Sequence, residues 1–250
     1  PFISQEKIGA QNPKYVQAPN YEMLKDLDIA SGGLIKLIDI APEVDGAQDF
    51  VKLASKNFVV SIAHTNCTYE QACEAYSNGA SHLTHTYNAM PGIHHRKPGP
   101  IVAAAENNAN AEIICDGQHV NYAAVRLIFK LFGSNTCLIS DSCEATGLED
   151  GEYSLGGQAI LKIGTKVVLK NKQDTIAASA TNLFDCFKHA VLDANIKLED
   201  AITSASLSPA KAIGIDSSYG SIEPGKFANM LIVDKDLNLI NVIYKGRLVK

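Results

Sequence analysis

FVVSIAHTNCTYEQACEAYSNGASHLTHTYNAMP, residues 58–91, contains one full period of a repeating pattern. Phe58 to Ala63 is a near-continuous apolar run, as expected of a strand covered on both faces, and it stops at the polar His64-Thr65-Asn66. Thr68 then offers a capping hydroxyl with Gln71 three residues on, which predicts a helix running to about Asn78-Gly79. A second strand opens at Ser81, carries Leu83 among small polar residues and passes His85 before the turn Asn88-Ala89-Met90-Pro91. Strand, helix and strand, with a histidine at each strand end, make a βαβ unit.

The same rhythm extends in both directions. Upstream, residues 20–31 read as a helix, Leu34 to Ile40 as a strand ending at Ala41-Pro42-Glu43, and residues 46–56 as a helix. Downstream, His94-His95-Arg96-Lys97-Pro98 is a basic loop without apolar periodicity. Ala111 to Cys115 then predicts a strand ending at Asp116-Gly117-Gln118-His119, Ala123 to Phe132 a helix, and Cys137 to Ser140 a strand ending at Asp141-Ser142. Glu43, His64 and His85 follow one another at 21 residues, and Asp141 follows His119 at 22. A doubly wound sheet gathers ligands only near its switch point, whereas successive strand ends converge on the C-terminal face of a (β/α)8 barrel. The expected fold class is therefore α/β, a TIM-type barrel.

Beyond Asp141 the texture changes. Residues 152–170 alternate between Gly-containing turns and read as hairpins, and helices return at about 179–194, 199–206 and 208–213. Ala228 to Val233 and Leu239 to Val249 read as strands after the turn Glu223-Pro224-Gly225. The expected division is a barrel over residues 1–219, with a hairpin insertion at about 151–170, and strands of a small β-sandwich domain over 220–250. The chain opens on Pro1-Phe2-Ile3-Ser4 without a methionine, as though cut at a strand end, so it is expected to be a fragment or a processed product, with its barrel incomplete at the N-terminal side.

With 46% hydrophobic and 20% charged residues in 250, the chain can bury a core and is not a disordered sequence. A formal charge of −5 argues against nucleic acid as a partner, and no apolar run has the length of a membrane span. Six scattered cysteines without a CxxC pair fit reduced thiols, so a cytoplasmic protein is expected.

Two neutral imidazoles at adjacent strand ends, His64 and His85, are suited to a divalent metal that takes a third ligand, often a carboxylate. Asp141 is placed to accept a proton from water activated there. Each residue alone is more often a hydrogen-bonded core histidine or a capping aspartate; the set at matching strand ends points to a site. His119 suits either a third ligand or a hydrogen bond to substrate. Arg96 offers a planar fork that fits phosphate, or it is simply a solvated loop residue. Neither GxxxxGK[ST] nor GxGxxG occurs.

Longer motifs carry a resemblance. Pro1-Phe2-Ile3-Ser4, Gly9-Ala10-Gln11, Ala41-Pro42-Glu43, His64-Thr65-Asn66, Thr84 to Met90, Arg96-Lys97-Pro98-Gly99, Asp116-Gly117-Gln118-His119 and Ser140-Asp141-Ser142 stand in the order found in the N-acetylglucosamine-6-phosphate deacetylase family. Gly220 to Asn229 resembles the return strand of the amidohydrolase superfamily. The resemblance implies a barrel enzyme of amino-sugar catabolism that hydrolyses the acetamide of N-acetylglucosamine-6-phosphate to glucosamine-6-phosphate and acetate. It implies His64 and His85 as ligands of a divalent metal, zinc or iron, Asp141 as acid and base, and no organic cofactor. Ala10, Gln11, Asn88, Ala89, Asp116, Gly117, Gln118, His119, Ile176, Ala177 and Ala178 would contact the sugar. Arg96 would reach the phosphate across a homodimer interface. In the family a further metal ligand, a Glu, stands two residues before the position of Pro1. Gln11 stands where some members have His, and Ala177-Ala178 and Ser142 also depart from the usual residues. Another N-acetyl hexosamine phosphate, a sister amidohydrolase reaction or a catalytically impaired sugar-phosphate-binding fragment are the alternative expectations.

Overall fold

The computed structural model describes residues 1–249. Five strands, β1 (Leu37–Ile40), β2 (Val59–Ile62), β3 (His82–Leu83), β4 (Asn110–Ile114) and β5 (Thr136–Ile139), form one sheet in that spatial order. Every pairing is parallel, for example Ile40 with Ile62 and Ile62 with Leu83. Helices separate the strands: α2 (Ala47–Ala54), α3 (Tyr69–Ser77), α4 (Gly99–Glu106) and α5 (Tyr122–Phe132), with α1 (Tyr21–Ala30) ahead of β1. Right-handed crossovers that always step the same way keep the helices on one face and curl the other face inward. The order never reverses, so there is no switch point of a doubly wound sheet. It is the arc of a barrel, as the strand-end spacing predicts.

Local signals explain the elements. The hydroxyl of Thr68 accepts from Gln71 N and the Gln71 side chain accepts from Thr68 N, the reciprocal capping box read in the sequence. Asn121 caps α5 through its side-chain oxygen alone, which accepts from Ala123 N. At Gly79 the chain turns from α3 into β3 with φ of 112°, and a Cβ there would lie 2.4 Å from Ser55 Oγ, so only glycine fits. The helix α4 is not foreseen. Pro98-Gly99-Pro100 reads as a breaker, yet proline is tolerated in a first helical turn, and Ile101, Ala103 and Ala104 supply a buried face. Ile40, Val60, Ile62, Leu83, Ala111, Ile113 and Leu138 from the five strands join these residues in one core.

Beyond β5 an antiparallel sheet of β6 (Gly151–Leu155), β7 (Gln158–Ile163), β8 (Lys166–Leu169) and β9 (Lys172–Ser179) leaves the arc and comes back to it. It runs to Ser179, past the expected limit near residue 170, because Asp141 O accepts from Ser179 N at 2.8 Å and Ser179 O from Cys143 N at 3.0 Å. The next helix, α6 (Leu183–Leu192), accordingly starts after the cap Asn182 rather than at 179. Helices α7 (Leu198–Ala205) and α8 (Leu207–Ala212) follow. A last sheet holds β10 (Met230–Val233), β11 (Leu239–Tyr244) and β12 (Arg247–Leu248). The single strand expected over 239–249 is thus a hairpin folded at Lys245-Gly246, where both residues have positive φ. Among the described residues no helix is long and apolar enough to cross a membrane. All six cysteines are unpaired, and burial pushes the thiols of Cys67, Cys115, Cys137 and Cys186 up to about 12, which leaves them unreactive.

Candidate active site at the strand ends

His64, His85 and Asp141 each lie two residues past the last residue of their strand: Ile62, Leu83 and Ile139. All three occupy the left-handed region, with φ of 42°, 32° and 51°. That conformation is uncommon outside glycine, and its recurrence at three equivalent positions shows that the same backbone turn follows all three strands. Asp116 holds the same position after Ile114 on β4.

The two imidazoles meet. His64 Nε2 and His85 Nε2 are 3.0 Å apart, with the rings edge to face at 67°. Lys7 O lies 2.9 Å from His64 Nδ1, so Nδ1 carries the proton and Nε2 keeps a lone pair. Burial lowers the pKa of His64, and burial together with the His64 ring pushes His85 down to about 4. Both rings are therefore neutral at physiological pH.

A second cluster faces Asp141. Asp116 accepts from the backbone N–H of Gln118 and His119 and from His119 Nδ1 at 2.7 Å, locking the turn that carries His119. Burial would raise the Asp116 pKa, but these hydrogen bonds outweigh it and hold the carboxyl below its usual value. The other ring nitrogen, His119 Nε2, lies 3.8 Å from Asp141 Oδ2. Burial pushes Asp141 up to about 6; His119 opposes this, and the carboxylates of Glu112 and Asp116 reinforce it.

The remaining predicted residues are distributed unevenly. Gly9 is so close to His64 that a Cβ there would meet Cε1 at 3.3 Å, which places the adjacent Ala10 and Gln11 beside the pair. Ala10, Gln11, Asp39 and His64 line a cleft of about 510 Å³. Asn88 donates through Nδ2 to His85 O, and Ala89, with φ of 48°, accepts from Thr65 N, so this turn stays next to both histidines. Gly117 and Gln118 are exposed beside the buried Asp116. Ile176, Ala177 and Ala178 belong to β9, whose end pairs with Ser142 next to Asp141. Arg96 is not brought to the histidines within this chain; it is exposed on its loop, where its N–H donates to His94 Nδ1. Glu43 is occupied by the Thr65 hydroxyl and Asn66 N, a brace for the loop after His64.

Residues 39–249 match the Amidohydrolase family. The chain belongs to the amidohydrolase family. It is 35% identical over 251 residues to the N-acetylglucosamine-6-phosphate deacetylase of Bacillus subtilis, covering 99% of this chain and 63% of that relative. The N-acetylgalactosamine-6-phosphate deacetylase of Escherichia coli O157:H7 is 31% identical, with 99% and 66% covered. Among solved structures, a mutant N-acetyl-D-glucosamine-6-phosphate deacetylase of Mycobacterium smegmatis in complex with N-acetyl-D-glucosamine-6-phosphate superposes with a TM-score of 0.93 at 32% identity, covering 100% of this chain and 66% of that one. The deacetylase of Thermotoga maritima gives 0.88 at 27% identity, with 100% and 68% covered. The chain thus spans about two thirds of the length of these amidohydrolases.

The histidine pair of this amidohydrolase fits a divalent ion in part. Two ligand nitrogens about 2.0–2.1 Å from a shared zinc stand roughly 3 Å apart when their angle at the metal is near 90–100°, and the observed separation is 3.0 Å. The fixed Nδ1 proton of His64 leaves the correct nitrogen free. Among the described residues, however, no third His, Cys, Asp or Glu joins them in a metal-holding group.

Two site residues escape sequence reasoning. Glu112 lies inside the apolar strand β4, and Asp39 lies inside β1; a charge within a buried strand is the signal that would have found both. Asp39 accepts from Thr84 Oγ1 at 2.7 Å, and Thr84 in turn contacts Ser61 Oγ at 2.6 Å. Burial pushes Asp39 up to about 6, against the opposing hydrogen bond from Thr84. A folded-state pKa above the unfolded value means that stability falls as pH rises from about 4 through 6 and stays lower above that window. Asp39→Asn should therefore stabilise the protein at pH 7 by about 1–3 kcal/mol and change it little at pH 4. Urea denaturation at the two pH values checks this, and equal effects at both would remove the buried-charge explanation.

Proposed function

We propose that this amidohydrolase removes the acetyl group from N-acetylglucosamine-6-phosphate, giving glucosamine-6-phosphate and acetate. The observation that carries the reading is the convergence of His64 Nε2 and His85 Nε2, both neutral, on one point at the strand ends. The names of the relatives supply the substrate class. His64 and His85 would hold a divalent ion, zinc or iron, which would supply Lewis-acid polarisation and lower the pKa of a bound water.

The protein's own groups move the proton. Asp141 Oδ2 takes it from the attacking water and returns it to the amine as the C–N bond breaks. A carboxyl pushed up to about 6 suits both duties near neutral pH. His119, locked by its Nδ1 contact with Asp116, keeps Nε2 at 3.8 Å from Asp141 Oδ2, close enough to favour the carboxylate form of Asp141. Ala10, Gln11, Asn88, Ala89, the Asp116-to-His119 turn and Ile176 to Ala178 line the sugar site. In this reading a homodimer brings Arg96 of one subunit to the phosphate bound by the other, the 220–250 segment belongs to a small β domain, and the protein acts in the cytoplasm.

Arg96→Ala should raise KM for the phosphorylated sugar roughly tenfold to a hundredfold, equivalent to about 1.5–3 kcal/mol, and leave unphosphorylated N-acetylglucosamine nearly unaffected. Equal losses on both sugars would make Arg96 structural. The relative from Escherichia coli O157:H7 favours N-acetylgalactosamine-6-phosphate as a second reading. Acetate and free-amine release by the complete protein from each phosphorylated hexosamine decides between them. Release from neither would overturn the deacetylase reading.

A further inference from the structure

The backbone around His85 contains an irregularity that one side chain resolves. In a regular strand the N–H groups of residues i and i+2 point to the same neighbour. Here Thr84 N donates to Ile62 O on β2 at 3.0 Å, whereas Thr86 N donates to Glu112 O on β4 at 2.9 Å. The left-handed φ of 32° at His85 makes the switch between neighbours. It also leaves the His85 N–H without a ladder partner on either side.

That N–H is taken by Glu112 Oε2 at 3.2 Å. The other carboxylate oxygen, Glu112 Oε1, lies 3.2 Å from His82 Nε2. His82 is 2% exposed, and its Nδ1 has no hydrogen-bond partner, so the proton belongs on Nε2, where it can be donated to Glu112. Both carboxylate oxygens are therefore acceptors, and His82 sets their orientation. The main chain of Glu112 holds Thr86 while its side chain holds His85, so one residue grips the turn on two consecutive amides.

We propose that Glu112 is a positioning residue for the metal-binding pair. Its carboxylate accepts the N–H stranded by the left-handed turn and so sets Nε2 of His85 against Nε2 of His64. Without that acceptor the His85 amide is buried and unpaired, and a right-handed backbone that carries the imidazole away from His64 becomes the better conformation. This inference rests on the reading of His64 and His85 as metal ligands.

Zinc titration of the complete protein and of Glu112→Ala, Glu112→Gln and Glu112→Asp tests it. Loss of a group that orients a metal ligand weakens affinity roughly 10–100-fold, and that is the loss expected for Glu112→Ala. Glu112→Gln keeps an acceptor oxygen at the same reach for the His85 N–H, while its amide N–H can face His82 Nε2 once the His82 proton moves to Nδ1, and it should remain close to the parent. Glu112→Asp keeps the charge but is shorter by one methylene, and should bind as weakly as the alanine variant. A charge effect acting at a distance predicts the reverse order, with Asp near the parent and Gln impaired, and that result would overturn the proposal. So would full zinc affinity in Glu112→Ala. Should the alanine variant fail to fold, the Gln and Asp pair still decides. If the parent itself binds no zinc, the metal-pair reading fails separately. A crystal structure of Glu112→Asp then tests the turn alone: negative φ at His85 and a wider Nε2 separation support the role of Glu112, and an unchanged turn refutes it.

Discussion

Asp141→Asn is expected to bind zinc and N-acetylglucosamine-6-phosphate much as the parent does while kcat falls about 10²–10⁴-fold, the usual contribution of a positioned acid or base. Asn is nearly isosteric, so the left-handed turn at residue 141, which Asn tolerates well, should survive. The hydrogen bond from Ser179 N to the main-chain oxygen of residue 141 does not involve the side chain. Only the capacity to take a proton and return it is lost. Pre-steady-state measurement of acetate release, with substrate affinity determined independently, separates the two quantities. A kcat near the parent value would exclude Asp141 from proton transfer. A matching loss of substrate affinity would make it a binding group.

For His64→Ala and His85→Ala the expectation is loss of the metal itself, and with it nearly all turnover. Each variant leaves one imidazole from the pair. The weakening should exceed the roughly 10–100-fold cost of losing a supporting partner, because a ligand bond is removed outright. Metal content after dialysis against dilute chelator, followed by zinc titration, measures this. A variant that retained one tightly bound zinc per chain would remove that histidine from the ligand set. The two variants should also differ when metal-free. His64 is anchored to Lys7 O and helps hold the segment near Gly9, so its loss loosens that segment. His85 Nδ1 is buried without a partner, so its loss removes an unsatisfied polar atom.

Much of the architecture was legible because the parallel strands are apolar and regularly spaced. Phe58 to Ala63 reads as a strand from composition alone, and Thr68 with Gln71 announces the next helix, as the capping box in the structure confirms. The tail was less legible. Leu239 to Val249 is uniformly β-prone, and only Gly246 with its left-handed φ marks the fold between β11 and β12. Helix α4 was missed because Pro98-Gly99-Pro100 outweighs the short apolar stretch behind it, although the core buries that stretch. The strand ends stood out as candidate positions, but a sequence does not display a backbone dihedral. The positive φ shared by His64, His85 and Asp141, each two residues past its strand, could be seen only in three dimensions. Glu112 was hidden for a related reason. Its partner is a main-chain amide released by that dihedral, and no side-chain pattern encodes such a bond.

Anomalous diffraction from crystals of the complete protein grown with zinc tests the central claim most directly. The account predicts one strong peak bonded to both His64 Nε2 and His85 Nε2 at about 2.0–2.1 Å, with Asp141 nearby but outside its ligand set. A fully occupied zinc bonded to neither histidine, or to one alone, would contradict it.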